Sequence, residues 1–423
     1  MSYTTSVNLT RKYHISIALL FFYFVHPFLL KGYTIFSYCV IYGFPAIYML
    51  INYRYTISFL QCFFSKSGLK FVIGFLLICL WTFFAISINE TSDYSFFGPI
   101  LSVLRTLERY MFLSILLMKN CKTYKGNIFE TYLQYYIISN ILYVLSTLIL
   151  VSFPSVKSVW FDIIQQSTLD HIGRESIYSN RFSIDGFAGY RSTMKCTLGI
   201  VFCLYLITSK FSDIVKYEIF IALQLVGNFF YGRTGLVLSF IAIISYTIRY
   251  RYINLRTVLA IGAIILGGFW LYNIFMNINE GFESTVQWAT TPIIELLNDG
   301  ETSSHSYNRL HEMYWIPDNS TLLHGDGYYT SALGNYYMST DIGFMRQLLF
   351  GGLSVCFITY ASILYAIFKI FKGRFFSLMF IIIFTGFEFK GESWFSILPL
   401  LITLVILKEL QHQYVGICNY SML

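Results

Sequence analysis

The chain has 423 residues, of which 56% are hydrophobic and 12% charged, and its mean hydropathy is +0.60. A soluble globular domain carries roughly 25% charged residues, so this composition excludes an ordinary soluble fold. The formal net charge of +7 does not indicate nucleic-acid binding, because most basic residues lie in short loops, where they report membrane topology.

Apolar segments follow one another along the chain. A helix that crosses the hydrocarbon of a bilayer needs about 20 apolar residues. By this measure the sequence predicts an all-α polytopic membrane protein with about twelve transmembrane helices, in a single membrane domain over residues 1–423. The predicted spans, in chain order, are 15–30, 33–51, 69–88, 98–118, 132–153, 192–209, 216–231, 234–249, 256–275, 342–368, 375–388 and 393–408.

Loops rich in lysine and arginine alternate with loops that are poor in them, and the rich set holds 17 of the 29 basic residues. Cytoplasmic loops carry this excess in membrane proteins. We therefore expect both termini in the cytoplasm and two longer loops, at about 154–191 and 276–340, on the external face. The second is a polar stretch longer than a simple transporter needs, and it is where we look for chemistry.

Both external loops are predicted to be partly helical. In the second loop a cap at Ser306 precedes a helix that would run to Pro317. Beyond it, Gly325, Gly327 and Gly334 indicate turns at which the backbone comes close to a neighbour. In the first loop we expect a short helix near residues 160–169.

Arginines are uncommon in external loops, yet this chain has five at that level. They are Arg174, Arg181, Arg191, Arg233 and Arg309. A guanidinium stays charged and presents paired donors to phosphate oxygens, so the set indicates a site for a phosphate-bearing ligand. The alternative is that these side chains pair with lipid headgroups or with carboxylates of the same loops.

Three charged residues lie in the middle of the predicted span 98–118: Arg105, Glu108 and Arg109. Charges at that depth are costly unless paired or hydrated, so they are candidates for a functional site. Arg105 and Glu108 are three residues apart and could pair on one helix face, which leaves Arg109 for another partner. A purely structural pair within the helix is the alternative.

His324 and Asp326 flank Gly325 in the second loop, and either could accept a proton from a substrate hydroxyl. An ordinary polar surface turn is the alternative. Asp341 lies where the chain re-enters the membrane, near a helix N-terminus that favours a carboxylate. It is a candidate for the site, although capping alone would explain it.

Charged residues also mark the turn between the last two predicted spans. Glu388, Lys390 and Glu392 are interpreted as a solvated turn.

Motifs for metals and nucleotides are absent from the sequence, which contains no D-x-D, no H-E-x-x-H and no GxxxxGK[ST]. None of the eight cysteines lies in an external loop. We therefore expect no metal, no cofactor and no disulfide framework.

Several short motifs recur in the order and topology of a known family. They are Arg181–Gly186, Gly232–Gly235, Arg309, Trp315, Gly325–Gly327 and Thr340–Leu353. In this order the chain resembles the bacterial O-antigen polymerase and O-antigen ligase superfamily over most of residues 90–408. The segment from Asp341 to Phe344 is more similar to the polymerases. The motif at Arg181–Gly186 lacks the Glu-Pro that often follows its glycine in the family.

The resemblance implies a metal-independent, lipid-dependent glycosyltransferase bundle of the GT-C-like kind in the bacterial cytoplasmic (inner) membrane, with its active site on the periplasmic face. The donor would be an undecaprenyl-diphosphate-linked oligosaccharide. Membrane lipid and a chain-length regulator protein would be the partners, and no nucleic acid is involved. The catalytic candidates are Arg309, His324 and Asp326, and the substrate-binding candidates are Arg105, Arg109, Arg181, Arg191, Arg233 and Asp341.

Three functions remain open on the sequence. The first is a polysaccharide repeat-unit polymerase. The second is an O-antigen ligase, which differs in its acceptor, lipid A–core. The third is a flippase or other transporter of lipid-linked oligosaccharides, for which the charged residues in span 98–118 argue and the long external loop does not.

Overall fold

The computed structural model describes residues 2–120, 127–165, 182–209, 214–250, 295, 312–371 and 373–420. These residues fold almost entirely into helices. In chain order the helices are α1 (Ser2–Val25), α2 (Thr34–Tyr38), α3 (Phe44–Ile51), α4 (Tyr53–Phe63), α5 (Lys66–Ile88), α6 (Phe97–Asn120), α7 (Ile128–Ser152), α8 (Pro154–Ile163), α9 (Tyr190–Ser209), α10 (Ile214–Tyr231), α11 (Arg233–Tyr250), α12 (Asn319–His324), α13 (Gly343–Ile370), α14 (Arg374–Glu388) and α15 (Trp394–Tyr420).

Two short antiparallel pairs of strands accompany these helices. Strand β1 (Leu29–Leu30) pairs with β2 (Ile164–Gln165), with Leu29 opposite Gln165. Strand β3 (Phe182–Ser183) pairs with β4 (Gly186–Phe187), with Ser183 opposite Gly186. The second pair forms a tight hairpin, and Gly186 adopts φ 100°, a left-handed conformation that suits glycine.

Seven stretches among the described residues are long and apolar enough to cross a membrane, so the chain is a multi-pass α-helical membrane protein. They are Thr34–Ile51, Lys66–Ile88, Ile128–Ser152, Tyr190–Ser209, Ile214–Tyr231, Gly343–Ile370 and Trp394–His412. The predicted spans 98–118, 234–249 and 375–388 are helical as well, in α6, α11 and α14. The predicted span 256–275 lies outside the described residues, so the total of about twelve stays a prediction.

The chain divides into two compact units. The first unit comprises residues 1–43 and 130–302, and the second comprises 44–129 and 303–423. In the first unit α9 packs on α10 and α11. The helices α9 and α10 approach closely at a glycine, because a Cβ at Gly199 would lie 1.8 Å from Oε1 of Gln224. Tyr143, Cys196 and Tyr231 belong to the hydrophobic core of this unit.

In the second unit, the long helix α13 packs against α5, α14 and α15, and α15 also packs on α6. Helix α13 is broken inside its span: Gly351 and Gly352 have non-helical dihedral angles, and Gly352 has φ 67°. A residue with a Cβ disfavours this left-handed conformation, so the Gly-Gly pair accounts for the position of the break.

The helices predicted in the two long loops differ from those observed. Helix α8 spans Pro154–Ile163 rather than beginning at Trp160. The prediction of a helix that runs to Pro317 is wrong for residues 314–317, which are not helical. Residues 306–311 of that predicted helix lie outside the described residues. Pro317 disfavours helix at the residue before it. The next helix is α12, where Asp318 caps the helix by accepting a hydrogen bond from the Thr321 N–H at 2.8 Å.

Candidate functional site

The break in α13 receives a segment of the loop that the sequence predicts to be external. The N–H of Asp326 donates to the carbonyl of Leu349 at 2.6 Å, and the N–H of Gly327 donates to the carbonyl of Phe350 at 3.1 Å. The indole N–H of Trp81 donates to the carbonyl of Gly351 at 2.7 Å. A broken transmembrane helix needs such partners, because carbonyls left unpaired away from water are costly. The loop therefore binds to α13 at the break within its length, and not at an end of the helix.

Glycines permit this docking. A Cβ at Gly325 would lie 2.3 Å from the carbonyl oxygen of Phe350, and a Cβ at Gly352 would lie 2.6 Å from that of Leu323. A Cβ at Gly327 would lie 2.9 Å from the carbonyl oxygen of Ala85. The predicted close approach of the backbone is thus confirmed at Gly325 and Gly327. Gly334 has φ 78° but no neighbour within 4 Å, so it is a turn residue alone.

The segment between α5 and α6 holds the same loop from the other side. The carboxylate of Asp93 accepts hydrogen bonds from the N–H groups of Tyr329 at 2.6 Å and Thr330 at 2.8 Å. Asn89 donates to the Gly325 carbonyl at 3.0 Å, and Thr91 donates to the Gly327 carbonyl at 2.9 Å. Sequence reasoning missed these anchors, because nothing local to residues 89–93 indicates a partner more than two hundred residues away.

The charge of Asp93 is stabilised by this arrangement. Burial alone would raise the pKa of its carboxyl group. Hydrogen bonds from Ser95, Thr330 and Tyr329 outweigh burial, and the pKa of Asp93 is lowered. Asp93 is therefore ionised at neutral pH and accepts from two backbone N–H groups of the loop.

The two candidate bases of the loop are held separately. His324 ends α12, and its ring nitrogens lie 2.9 Å from the Gly325 carbonyl oxygen and 3.2 Å from the Ser320 hydroxyl. The carboxylate of Asp326 accepts from the hydroxyl of Thr321 at 2.5 Å and from the hydroxyl of Tyr337. No hydrogen bond joins the His324 and Asp326 side chains of this described loop. Each is therefore oriented independently, and either could accept a proton.

The hydroxyl of Tyr337 is the second donor to the carboxylate of Asp326. Burial, the charge of Asp326 and the hydrogen bond to Asp326 together raise the pKa of the Tyr337 hydroxyl to about 12. The hydroxyl is therefore protonated at neutral pH and donates to the carboxylate. One carboxylate that accepts from two hydroxyls has a fixed orientation and still has free lone pairs for a ligand.

A buried ion pair lies behind the loop. Nη1 of Arg346 lies 3.1 Å from Oε2 of Glu392, and these residues are 8% and 2% exposed. The rings of Tyr329 and Tyr336 enclose the guanidinium, with centroids 4.0 and 3.9 Å from Cζ. Glu392 also accepts from the Tyr329 hydroxyl and, at 2.6 Å, from the indole N–H of Trp394. The loop residues Tyr329 and Tyr336 are thus held to α13 through one arginine.

Glu388 is a second buried carboxylate in the same unit. It accepts from the N–H and hydroxyl of Ser393 at 2.8 and 2.7 Å and from the N–H of Trp394 at 2.8 Å. Its other oxygen accepts from Tyr360 at 3.1 Å. Glu388 is 3% exposed, so the expectation of a solvated turn is wrong for Glu388 and Glu392. Donors at the start of α15 compensate the loss of water around Glu388.

The sequence analysis did not single out Arg346 as a site residue and interpreted Glu392 as part of a solvated turn, although one signal was available. An arginine one turn inside an apolar span needs a partner, and it is a functional candidate for that reason. The partner was not evident, because an exposed-looking Glu-Ser-Trp turn can be recognised as buried only when its neighbours are known.

The arginine candidates fall in different parts of the chain. Arg191 is an exposed residue in the first turn of α9, and Arg233 is the half-buried first residue of α11. Both lie at one end of the first unit, because the Thr193 hydroxyl of α9 lies 3.1 Å from the carbonyl oxygen of Gly232. Arg181 and Arg309 lie outside the described residues.

The predicted pairing in α6 is wrong. Within the described part of α6, no ion pair joins Arg105 to Glu108, and Arg105 is exposed. Arg109 is buried instead and donates to the Thr106 hydroxyl at 3.0 Å and to the Arg105 carbonyl at 3.4 Å. Both acceptors belong to the preceding turn of the same helix, so some of the N–H groups of Arg109 are hydrogen-bonded within α6.

Asp341 lies two residues before α13 and is half-buried. The residue at the cap position is Ile342, and no side chain makes a capping hydrogen bond there. Burial and the charge of Asp341 both raise the pKa of the Tyr314 hydroxyl. Capping by hydrogen bond therefore does not account for Asp341.

The candidate site is thus clearest in the second unit, where the loop from His324 to Tyr337 is fixed on the broken helix. Arg191 and Arg233 belong to the first unit. No protein-family model, curated protein or solved structure matches this chain.

Proposed function

We propose that this protein is a polysaccharide polymerase that joins undecaprenyl-diphosphate-linked repeat units on the external face of a bacterial cytoplasmic membrane. The fold would be a GT-C-like bundle of about twelve transmembrane helices. The proposal is supported by the docking of an external polar loop on a broken span, with Asp326 bonded through its own N–H to Leu349. A transporter has no need of a polar loop held so closely.

The reaction that fits this site is a direct transfer of sugar. The acceptor hydroxyl attacks the anomeric carbon of the donor, the bond from that carbon to the phosphate oxygen breaks, and undecaprenyl diphosphate leaves. The proton of the acceptor goes to the carboxylate of Asp326 or to the imidazole of His324. Both groups are held by hydrogen bonds, so little reorganisation is needed when the acceptor binds.

The leaving diphosphate needs positive charge. Arg309 and Arg181 are proposed to bind it, together with Arg233 and Arg191 at the end of the first unit. Arginines placed in this way stabilise the charge that develops on the leaving oxygen. Arg105, Arg109 and Asp341 are proposed to contact the lipid-linked substrate, and a chain-length regulator is the proposed protein partner.

A gel of surface glycans from cells that lack the protein tests the function. A polymerase is expected to leave acceptors that carry a single repeat unit, with no ladder of longer chains. Long polymer on the lipid carrier beside bare acceptors would instead identify a ligase. Carrier-linked repeat units held on the cytoplasmic face would identify a flippase.

Complementation of these cells tests the residues. Arg309→Ala and Asp326→Asn are expected to abolish the ladder, whereas Glu312→Gln, an exposed change in the same loop, should restore it. His324→Gln separates the two candidate bases. A full ladder with Asp326→Asn and none with His324→Gln would assign the base to His324.

A further inference from the structure

The segment 328–337 is a hairpin, and some of its tyrosine rings are exposed on the protein surface. Thr330 and Tyr336 form an antiparallel bridge, and the Ser331 N–H donates to the Asn335 carbonyl at 2.8 Å. Asp93 holds the first side of the hairpin, and Arg346 lies between the rings of Tyr329 and Tyr336. These contacts fix the backbone of the hairpin. They also fix the positions of the remaining two rings, Tyr328 and Tyr337, which do not enclose the Arg346 guanidinium.

Two of these rings form a stack beside a carboxylate. The rings of Tyr328 and Tyr337 have centroids 5.4 Å apart and planes 26° apart. Tyr328 is 43% exposed, so much of its surface stays open. The Tyr337 hydroxyl donates to Asp326, so the carboxylate is placed next to the stack. An aromatic surface with one oriented acceptor at its edge is the result.

The backbone beyond the stack is strained. Met338 and Ser339 have φ 52° and 55°, left-handed values that residues with a Cβ rarely adopt. Such strain persists only where the surrounding contacts require it, and it is concentrated at binding sites. Here it directs the chain from Tyr337 back to α13, and the strained residues directly follow the ring of the stack.

We propose that Tyr328, Tyr337 and Asp326 form a saccharide-binding surface that takes the acceptor sugar. A pyranose has an apolar face of C–H groups and a rim of hydroxyls. The apolar face matches the open tyrosine ring, and a rim hydroxyl can donate to the free lone pairs of Asp326. Tyrosine provides such contact area at low entropic cost, because it has few rotatable bonds. This assignment as an acceptor site rests on the proposed function.

A lipid surface is the other ligand that exposed tyrosines could meet. The polar edge favours the sugar, because a charged carboxylate beside the rings is poorly suited to contact with acyl chains. Leu333 at the tip of the hairpin is 88% exposed and does not belong to the stack, which makes it the matched control for lipid contact.

The test measures binding without catalysis. Short oligosaccharides of one to three repeat units, released from the surface polysaccharide of the source cells and free of lipid carrier, are titrated onto the full-length protein in phospholipid nanodiscs. Saturation-transfer NMR reports the contact. Tyr328→Ala is expected to weaken binding about tenfold, a size typical of a lost aromatic contact. Tyr328→Phe, which keeps the ring, should bind as the wild type does.

Two further variants test the polar edge and the lipid alternative. Asp326→Asn should weaken binding severalfold, and Leu333→Ala should leave it unchanged. Absence of saturation transfer from the wild-type protein to the oligosaccharides, or wild-type affinity in Tyr328→Ala, would overturn the proposal. Equal losses in Leu333→Ala and Tyr328→Ala would show that binding does not depend on the tyrosine ring in particular and would also overturn the proposal.

The two proposals fail separately. Oligosaccharide binding that depends on Tyr328, in a protein that does not extend lipid-linked repeat units, would retain the saccharide surface and reject the polymerase. Normal extension of repeat units by Tyr328→Ala would retain the polymerase and reject the surface.

Discussion

Arg346 and Glu392 form an ion pair 3.1 Å long in which both side chains are more than nine-tenths buried. Each residue also fixes other groups: Arg346 lies between two tyrosine rings, and Glu392 accepts from Tyr329 and Trp394. The pair therefore connects the hairpin of residues 328–337 to α13 and to the start of α15. It holds the site in place rather than taking part in the chemistry proposed for it.

Removal of one partner of this pair should be strongly destabilising. Arg346→Met leaves the Glu392 carboxylate buried without its counter-ion, which costs about 3–5 kcal/mol in comparable cases. The double variant Arg346→Met/Glu392→Gln should lose less than the sum of the single changes, because neither member of the pair is left as an uncompensated charge. Thermal unfolding in detergent gives these differences, with the exposed Arg374→Met as the control. Additive losses would show that the ion pair does not couple these residues.

Three glycines of the second unit give a graded test of the docked loop. Gly352→Ala combines a left-handed φ with a clash against the Leu323 carbonyl, and it should cost well over 2 kcal/mol. Gly334→Ala has the unfavourable φ but no close neighbour, so it should cost about 1–2 kcal/mol. Gly373→Ala has neither and should be neutral within about 0.5 kcal/mol. Unfolding midpoints of the three variants in one detergent should follow this order, and equal midpoints would reject the docking of the loop on α13.

The sequence predicted the helical membrane class because apolar segments of sufficient length are a local property. The turns at Gly325 and Gly327 were also predicted, since a glycine pattern is local. The partners of those turns were not, because Phe350 and Ala85 come close only when α5 and α13 pack. Burial of Glu388 and Glu392 was missed for the same reason: their donors belong to α15 and to distant tyrosines. Local sequence patterns thus predicted the positions of the turns in the loop, whereas the residues that the loop contacts depend on tertiary packing.

Asp93 provides a prediction that depends on pH. Its pKa is lowered from the ordinary value of 3.8, so its contribution to stability is fully present above that value and is lost as the pH falls through the lowered pKa. Asp93→Ala should therefore destabilise the protein equally at pH values from about 5 to 8, by about 1–3 kcal/mol for the backbone donors left without a partner. The difference from the wild type should shrink only in strong acid. Unfolding midpoints across this range measure it, and a difference that disappears near neutral pH would contradict the hydrogen bonding assigned to Asp93.

Gly235 should control the position of Arg233. A Cβ at Gly235 would lie 1.8 Å from Oγ1 of Thr193, so Gly235→Ala must separate α11 from α9. We expect a loss of about 1–3 kcal/mol from this overpacking and a weaker ladder of surface glycan, because Arg233 starts the displaced helix. Thr193→Ala in the same chain removes the clashing hydroxyl and should restore part of the stability. Gly43→Ala, which meets no atom within 4 Å in the same unit, is the control. A normal ladder in a Gly235→Ala protein of reduced stability would show that Arg233 is not needed for the proposed transfer reaction.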